Sequence, residues 1–204
     1  MAPISGALSS RTSNASQGAL GVLLVLSGPS GAGKGTVAAK LLDREPRPWL
    51  SLSATTRPAR PGEVDGRDYV FLDRATFEKW QENGEFVESF EVFGHLYGTP
   101  RQPLVDHLAA GEHIILDIDV KGAMAVRQAF PEAVLVFLRP PSREAQRARL
   151  VARAGDPPDI IEGRLAEAAA EEAMADRFDV VVVNDDLGTA VEEVAAILEK
   201  HGRA

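Results

Sequence analysis

Short apolar runs alternate with amphipathic stretches along the chain from Val22 onward. VLLVL at 22–26 is an unbroken apolar run of strand length, the pattern of a strand covered on both faces. TVAAKLL at 36–42 follows with helical character. IILDI (114–118), VLVFL (134–138) and DVVVV (179–183) repeat the apolar run, each ahead of a stretch that suits a helix. The last of these helices is the clearest. Leu187, Val191, Val194 and Leu198 recur at helical spacing, and Asp185 or Asp186 is placed to cap it. Apolar strands alternating with helices predict βαβ units, and hence an α/β fold with a parallel sheet flanked by helices.

Two segments break the alternation. Residues 51–99 hold the strand-like pieces YVFLD and EFVESFEVF among Gly, Pro and charged turns, with one short helix, TFEKWQENG, stopped at Gly84. They predict a small, partly antiparallel subdomain inserted into the core. Residues 142–175 are nearly all Ala, Arg, Glu and Asp, and predict exposed helices forming a mobile lid. The first twenty residues are rich in Ser, Ala and Gly and contain no acid, so residues 1–20 read as a disordered extension ahead of a domain at 21–204.

Composition removes several classes of function. With 22 Lys and Arg against 30 Asp and Glu the net charge is −8, which disfavours non-specific binding to nucleic acid or to a membrane surface. The absence of cysteine excludes disulfides, thiolate metal sites and cysteine catalysis. No apolar run reaches the length of a membrane span and no targeting segment is evident, so the expected location is the cytoplasm. The oligomeric state is left open, a homo-oligomer included. The four histidines show no metal-ligand spacing, and Trp49 and Trp80 read as packing residues.

The candidate chemistry starts where the first strand runs into GPSGAGKGT (28–36). Gly28, Gly33 and Lys34 match the Gly-x-x-x-x-Gly-Lys phosphate loop, in which backbone N–H groups surround a phosphate and the helix N-terminus and the lysine add positive charge. Gly35 follows the lysine where Ser or Thr is usual, so the hydroxyl offered to a metal ion falls to Thr36.

A second cluster lies in SLSATTRPARPGEVDGRDYVF (51–71). Arg57 and Arg60 beside Ser53, Thr55, Thr56 and Tyr69 suit a phosphate dianion, since arginine offers a planar fork of donors. A solvated, Pro-broken loop fits the same composition. Glu88, Thr99, Asp117 and Asp119 follow, and the two Asp share one face if the strand persists past Ile118. Asp119 is also placed to cap the helix that starts near Val120.

Taken together, GPSGAGKGT, the long 51–71 motif, LYGTP at 96–100, ILDIDVKG at 115–122 and VNDD at 183–186 resemble guanylate kinase, in the order and over the span of that family. The resemblance implies an ATP-dependent GMP kinase, accepting dGMP as well, with a core, a GMP-binding subdomain and a lid. It implies that Gly28, Pro29, Ser30, Gly31, Ala32, Gly33, Lys34, Gly35 and Thr36 hold ATP, with Asn184 near the adenine. Arg57, Arg60, Tyr69 and Tyr97 would hold the GMP phosphate, and Ser53, Glu88, Thr99 and Asp119 would read the guanine. Asp117 would orient Mg²⁺ through water. Lys34, Arg57 and the lid residues Arg149, Arg153 and Arg164 would neutralise the transferring group.

Guanine chemistry points the same way. Its N1–H and N2–H₂ donate, so acceptor-only carboxylates such as Glu88 and Asp119 suit that edge, whereas adenine would leave a buried carboxylate unpaired. Two rivals remain at this level: a guanylate-kinase-like binding module for phosphopeptides, against which the complete phosphate loop argues, and a kinase for another nucleoside monophosphate. The lid stretch also carries Pro157 and Pro158, a departure from the acidic, Thr-rich stretch expected there.

Overall fold

The computed structural model describes residues 21–92, 94–152 and 158–202, so the extension expected at 1–20 lies outside the described residues. The centre is a parallel five-stranded sheet. In chain order its strands are β1 (Leu23–Ser27), β2 (Trp49–Leu50), β7 (Ile114–Asp117), β8 (Val134–Arg139) and β9 (Val180–Val183), arranged spatially as β2-β7-β1-β8-β9. β1 is buried at every residue. Its alternate side chains enter two cores, Leu24 and Leu26 on one face, Leu23 and Val25 on the other. Full burial of each such side chain stabilises by about 1.5–3 kcal/mol.

The first face is covered by α1 (Lys34–Leu41) and α7 (Leu187–Gly202), through Val37, Leu41, Val191, Val194 and Leu198. Asp186 caps α7 by accepting from the Thr189 N–H at 2.8 Å, which decides between the two candidate caps. The second face is covered by α3 (Arg101–Ala109) and α4 (Val120–Ala129), through Leu104, Val120, Ala123 and Val126. His113 pins the start of β1, its Nδ1 accepting from the Val22 N–H at 3.1 Å.

Between β2 and α3 the chain builds a second, four-stranded sheet of order β4-β3-β6-β5, from β3 (Ala54–Thr55), β4 (Val70–Phe71), β5 (Phe86–Val92) and β6 (His95–Pro100). β6 runs antiparallel to both neighbours, and β3 pairs with β4 in parallel. The helix α2 (Arg74–Glu82) starts at Asp73, whose side chain accepts from the Thr76 N–H, so YVFLD yields two strand residues and then a cap. A small core of Ala54, Phe77, Phe86 and Leu96 closes this unit, with Phe77 and Phe86 stacked at 4.4 Å and Trp80 packed beside them. Trp49 packs likewise, stacked on His107.

The 142–175 segment forms α5 (Arg143–Ala152) and α6 (Pro158–Glu172), then a 3₁₀ turn at Ala175–Arg177. These helices are not exposed all round. Gln146 and Leu150 of α5 are buried where that helix lies against Gly31, and Ile161 and Ala168 of α6 are buried as well. Among the described residues no helix is long and apolar enough to cross a membrane.

Candidate active site

The loop after β1 leaves the sheet at the carboxyl ends of its strands, where open α/β sheets bind ligands. Gly28 has φ 137°, and a Cβ there would lie 2.0 Å from the Leu138 carbonyl oxygen of β8, so only glycine lets the loop pass so close to the neighbouring strand. Lys34 opens α1 with its ammonium folded over the loop, donating to the carbonyls of Gly28 at 2.5 Å and Pro29 at 3.5 Å. Behind the loop, Asn184 is buried and its Nδ2 donates to the Ala32 carbonyl at 2.8 Å. Arg149 of α5 reaches the same carbonyl at 3.5 Å and donates to the Asn184 carbonyl at 2.8 Å. In a trans peptide the C=O and the next N–H point in opposite directions. Holding the Ala32 carbonyl from behind therefore turns the Gly33 N–H toward the concave side.

Asp117 ends β7 directly beside Leu26 of β1. Its Oδ2 is 3.5 Å from where a Cβ on Gly35 would stand, so the carboxylate faces the first turn of α1. Thr36 is the next residue along and is exposed.

The smaller sheet carries a second polar cluster. Arg57 donates to Glu63 at 2.9 Å and to the Pro58 carbonyl at 2.7 Å. Its guanidinium lies over the rings of Tyr69 (5.3 Å) and Phe71 (5.9 Å). Glu63 first, and Tyr97 after it, hold Arg57 more firmly in its charged form, while Arg57 holds the Glu63 carboxyl below its ordinary value. The other Glu63 oxygen accepts from the Arg60 N–H at 2.7 Å. Thr55 fixes the turn, accepting from the Arg57 N–H and donating to the Leu96 carbonyl. Tyr69 and Tyr97 meet edge to face. Burial raises the Tyr69 phenol, helped by Tyr97 and, more weakly, by Asp117. The Asp117 charge thus adds weakly to the rise at Tyr69, against Arg57, while its Oδ2 faces Gly35 of the phosphate loop.

Glu88 of β5, Thr99 of β6 and Asp119 form a third group. The buried Thr99 hydroxyl donates to the Glu88 carboxylate. Burial pushes the Glu88 carboxyl from 4.5 up to about 7, with the Asp119 charge adding to the rise and the Thr99 hydrogen bond opposing it. Asp119 does cap α4, its Oδ1 accepting from the Gly122 N–H at 2.7 Å. A carboxylate has two oxygens, so capping and ligand contact are compatible in one residue.

Comparison with known proteins bears on this arrangement. A family model described as guanylate kinase matches residues 21–201. The chain belongs to the guanylate kinase family. A guanylate kinase from Gloeobacter violaceus is 53% identical over 176 residues, 86% of each chain. One from Thermus thermophilus is 51% identical over 187 residues, 92% of this chain and 83% of the relative. The crystal structure of guanylate kinase from Anaplasma phagocytophilum superposes with a TM-score of 0.74 at 36% identity, covering 91% of this chain and 88% of the other.

Not every residue implied by the guanylate kinase resemblance falls into these clusters. Arg153 lies outside the described residues. Arg60 is exposed, and its backbone rather than its guanidinium is tied to the cluster. Ser53 stands one residue before β3, its carbonyl accepting from the Val70 N–H. Arg164 is half-buried on α6. Conversely, sequence reading missed Glu63, whose signal is its place six residues after Arg57 in a stretch of prolines. It also missed Gln146, a polar residue one helical turn ahead of Leu150 on the inward face of α5.

Proposed function

We propose that this member of the guanylate kinase family transfers the γ-phosphoryl group of ATP directly to the phosphate oxygen of GMP, or of dGMP, releasing ADP and the nucleoside diphosphate. The observation that carries the reading is a complete phosphate loop, with Lys34 folded over it and Asp117 facing its helix turn, in one chain with a second anion site built of Arg57 on Glu63 and Tyr69. Two anion sites, one of backbone N–H donors and one of guanidinium and phenol groups, suit in-line transfer, which needs positioning and charge neutralisation more than covalent help.

In this reading the Gly28–Thr36 loop holds the ATP phosphates, and Lys34 leaves its two carbonyls for them. Asn184 supports the loop below the adenine. Arg57, Arg60, Tyr69 and Tyr97 grip the GMP phosphate. Glu88 and Asp119 accept from the guanine N1–H and N2–H₂, with Ser53 and Thr99 supplying hydroxyls. Arg149, Arg153 and Arg164 of the lid bring further positive charge to the transferring group as the lid excludes water.

An acceptor-only carboxylate at a strand end, facing the turn that carries Lys34, fits a divalent cation. Asp117 would hold Mg²⁺ through water and Thr36 would offer its hydroxyl; when bound, the ion neutralises charge on the phosphate oxygens. An enzyme with these substrates works in the cytoplasm.

ADP release with Mg-ATP and each nucleoside monophosphate in turn tests the reading. Turnover confined to GMP and dGMP is expected. AMP turnover at or above the GMP rate would overturn the substrate assignment, and no turnover by folded protein would favour a binding module.

A further inference from the structure

Gln146 is buried, with 3% of its surface exposed, on a helix whose other polar residues, Arg149 apart, are exposed. Its Nε2 donates to the Ser30 carbonyl at 2.7 Å, across 116 residues of sequence. Leu150, one turn further along α5, is buried against the same loop. The two meet Gly31 so closely that a Cβ there would stand 3.1 Å from the Gln146 Cγ and 3.2 Å from the Leu150 Cγ. The first lid helix therefore lies on the back of the phosphate loop.

The geometry points to Gln146 as a positioning residue for ATP, one that acts by fixing a peptide plane of the phosphate loop. Ser30 and Gly31 share that peptide, so tying the Ser30 carbonyl to Gln146 aims the Gly31 N–H away from α5, toward the concave side. Asn184 does the same for the next peptide but one, holding the Ala32 carbonyl and aiming the Gly33 N–H. Two donors of the cradle, the Gly31 and Gly33 N–H groups, are thus set by side chains behind it, one from the strand end and one from the lid. Without the Gln146 amide the Ser30 carbonyl loses its partner, and the peptide gains the freedom to rotate its N–H out of line. Because the brace is carried by α5, motion of the lid and preorganisation of the loop are mechanically linked.

This inference rests on assigning residues 28–36 to the ATP phosphates, and the test separates the two. Gln146→Met keeps the length and the apolar packing but cannot donate. Titration of ATP and, separately, of GMP into wild type, Gln146→Met and Lys34→Ala is the experiment, with KM for each nucleotide measured alongside. The expected result for Gln146→Met is a rise of about tenfold in the Kd and KM for ATP, with GMP binding unchanged. Loss of a merely structural contact would lower the Tm and leave ATP affinity as it was. ATP affinity equal to wild type in folded Gln146→Met, or equal losses for ATP and GMP, would overturn the proposal. If Gln146→Met does not fold, Gln146→Asn withdraws the amide by one methylene, and the same selective loss is expected of it. Unchanged ATP affinity in Lys34→Ala would instead refute the phosphate-loop assignment.

Discussion

Around Lys34 the groups that the proposed function gives to phosphate are backbone N–H donors, with side chains behind the loop bonded to its carbonyls. Around Arg57 they are side chains, already engaged with one another: guanidinium on carboxylate and ring on ring. The supports differ as well. The loop leaves a strand buried on both faces within a five-stranded parallel sheet, while the second cluster stands on a four-stranded sheet with a far smaller core. A cradle of backbone is insensitive to most single side chains but depends on the fold that bends it. A cluster of paired side chains can be re-specified residue by residue, and in the proposed reading the neighbouring Glu88 group on the same sheet discriminates between bases.

The largest effect expected from this contrast is at Lys34, the loop side chain proposed to meet the phosphates. Lys34→Ala should lower kcat about 100- to 1000-fold while leaving the Kd for GMP unchanged, as measured by initial rates and calorimetry. The mirror experiment is Arg57→Met, which keeps the stem over Tyr69 and Phe71 but removes the fork. It should raise the KM for GMP about tenfold or more and leave the KM for ATP alone. Equal losses for both nucleotides in either variant would erase the distinction between the halves.

Glu88 sharpens the comparison, because its burial carries a cost until guanine arrives. Its carboxyl titrates near 7 in the folded chain against 4.5 unfolded. The folded state therefore binds the proton more tightly, and this contribution to stability is complete below pH 4.5 and lost as pH rises through about 7. Gln has no such dependence. Glu88→Gln should match wild type in acid and exceed it above pH 7 by about 1–3 kcal/mol in urea unfolding. GMP affinity of wild type should rise with pH across the same range, since the guanine donors need the ionised acceptor, and the variant should bind weakly at every pH. The smallest effect concerns Ser27, whose buried hydroxyl lacks a hydrogen-bond partner among the described residues. Ser27→Ala should change stability by less than about 1 kcal/mol, in the stabilising direction.

The contrast also governs what was legible in the sequence. β1, β7, β8 and β9 are apolar runs buried on a parallel sheet, and the phosphate loop has a fixed spacing, so both are visible locally. α7 declares itself by its period and its Asp186 cap. In the smaller sheet β3 and β4 have two residues each, too short for a period, and their order depends on pairing with the distant β6. β6 coincides with the LYGTP motif, whose Gly and Pro mask a strand pattern. α3 was hidden by Pro100 and Pro103, which are tolerated because they fall at its cap and in its first turn. Glu63 and Gln146 are polar residues in polar stretches, and only the fold reveals that one is paired with Arg57 and the other buried under the loop.

The most direct test of the account is the ratio of kcat/KM for GMP over AMP, measured in wild type and in Glu88→Gln. A wild-type preference of about 100-fold or more that falls at least tenfold in the variant is predicted, because a buried carboxylate facing adenine goes unpaired. A preference unchanged by the substitution would contradict the assignment of base recognition to the side chains of the smaller sheet.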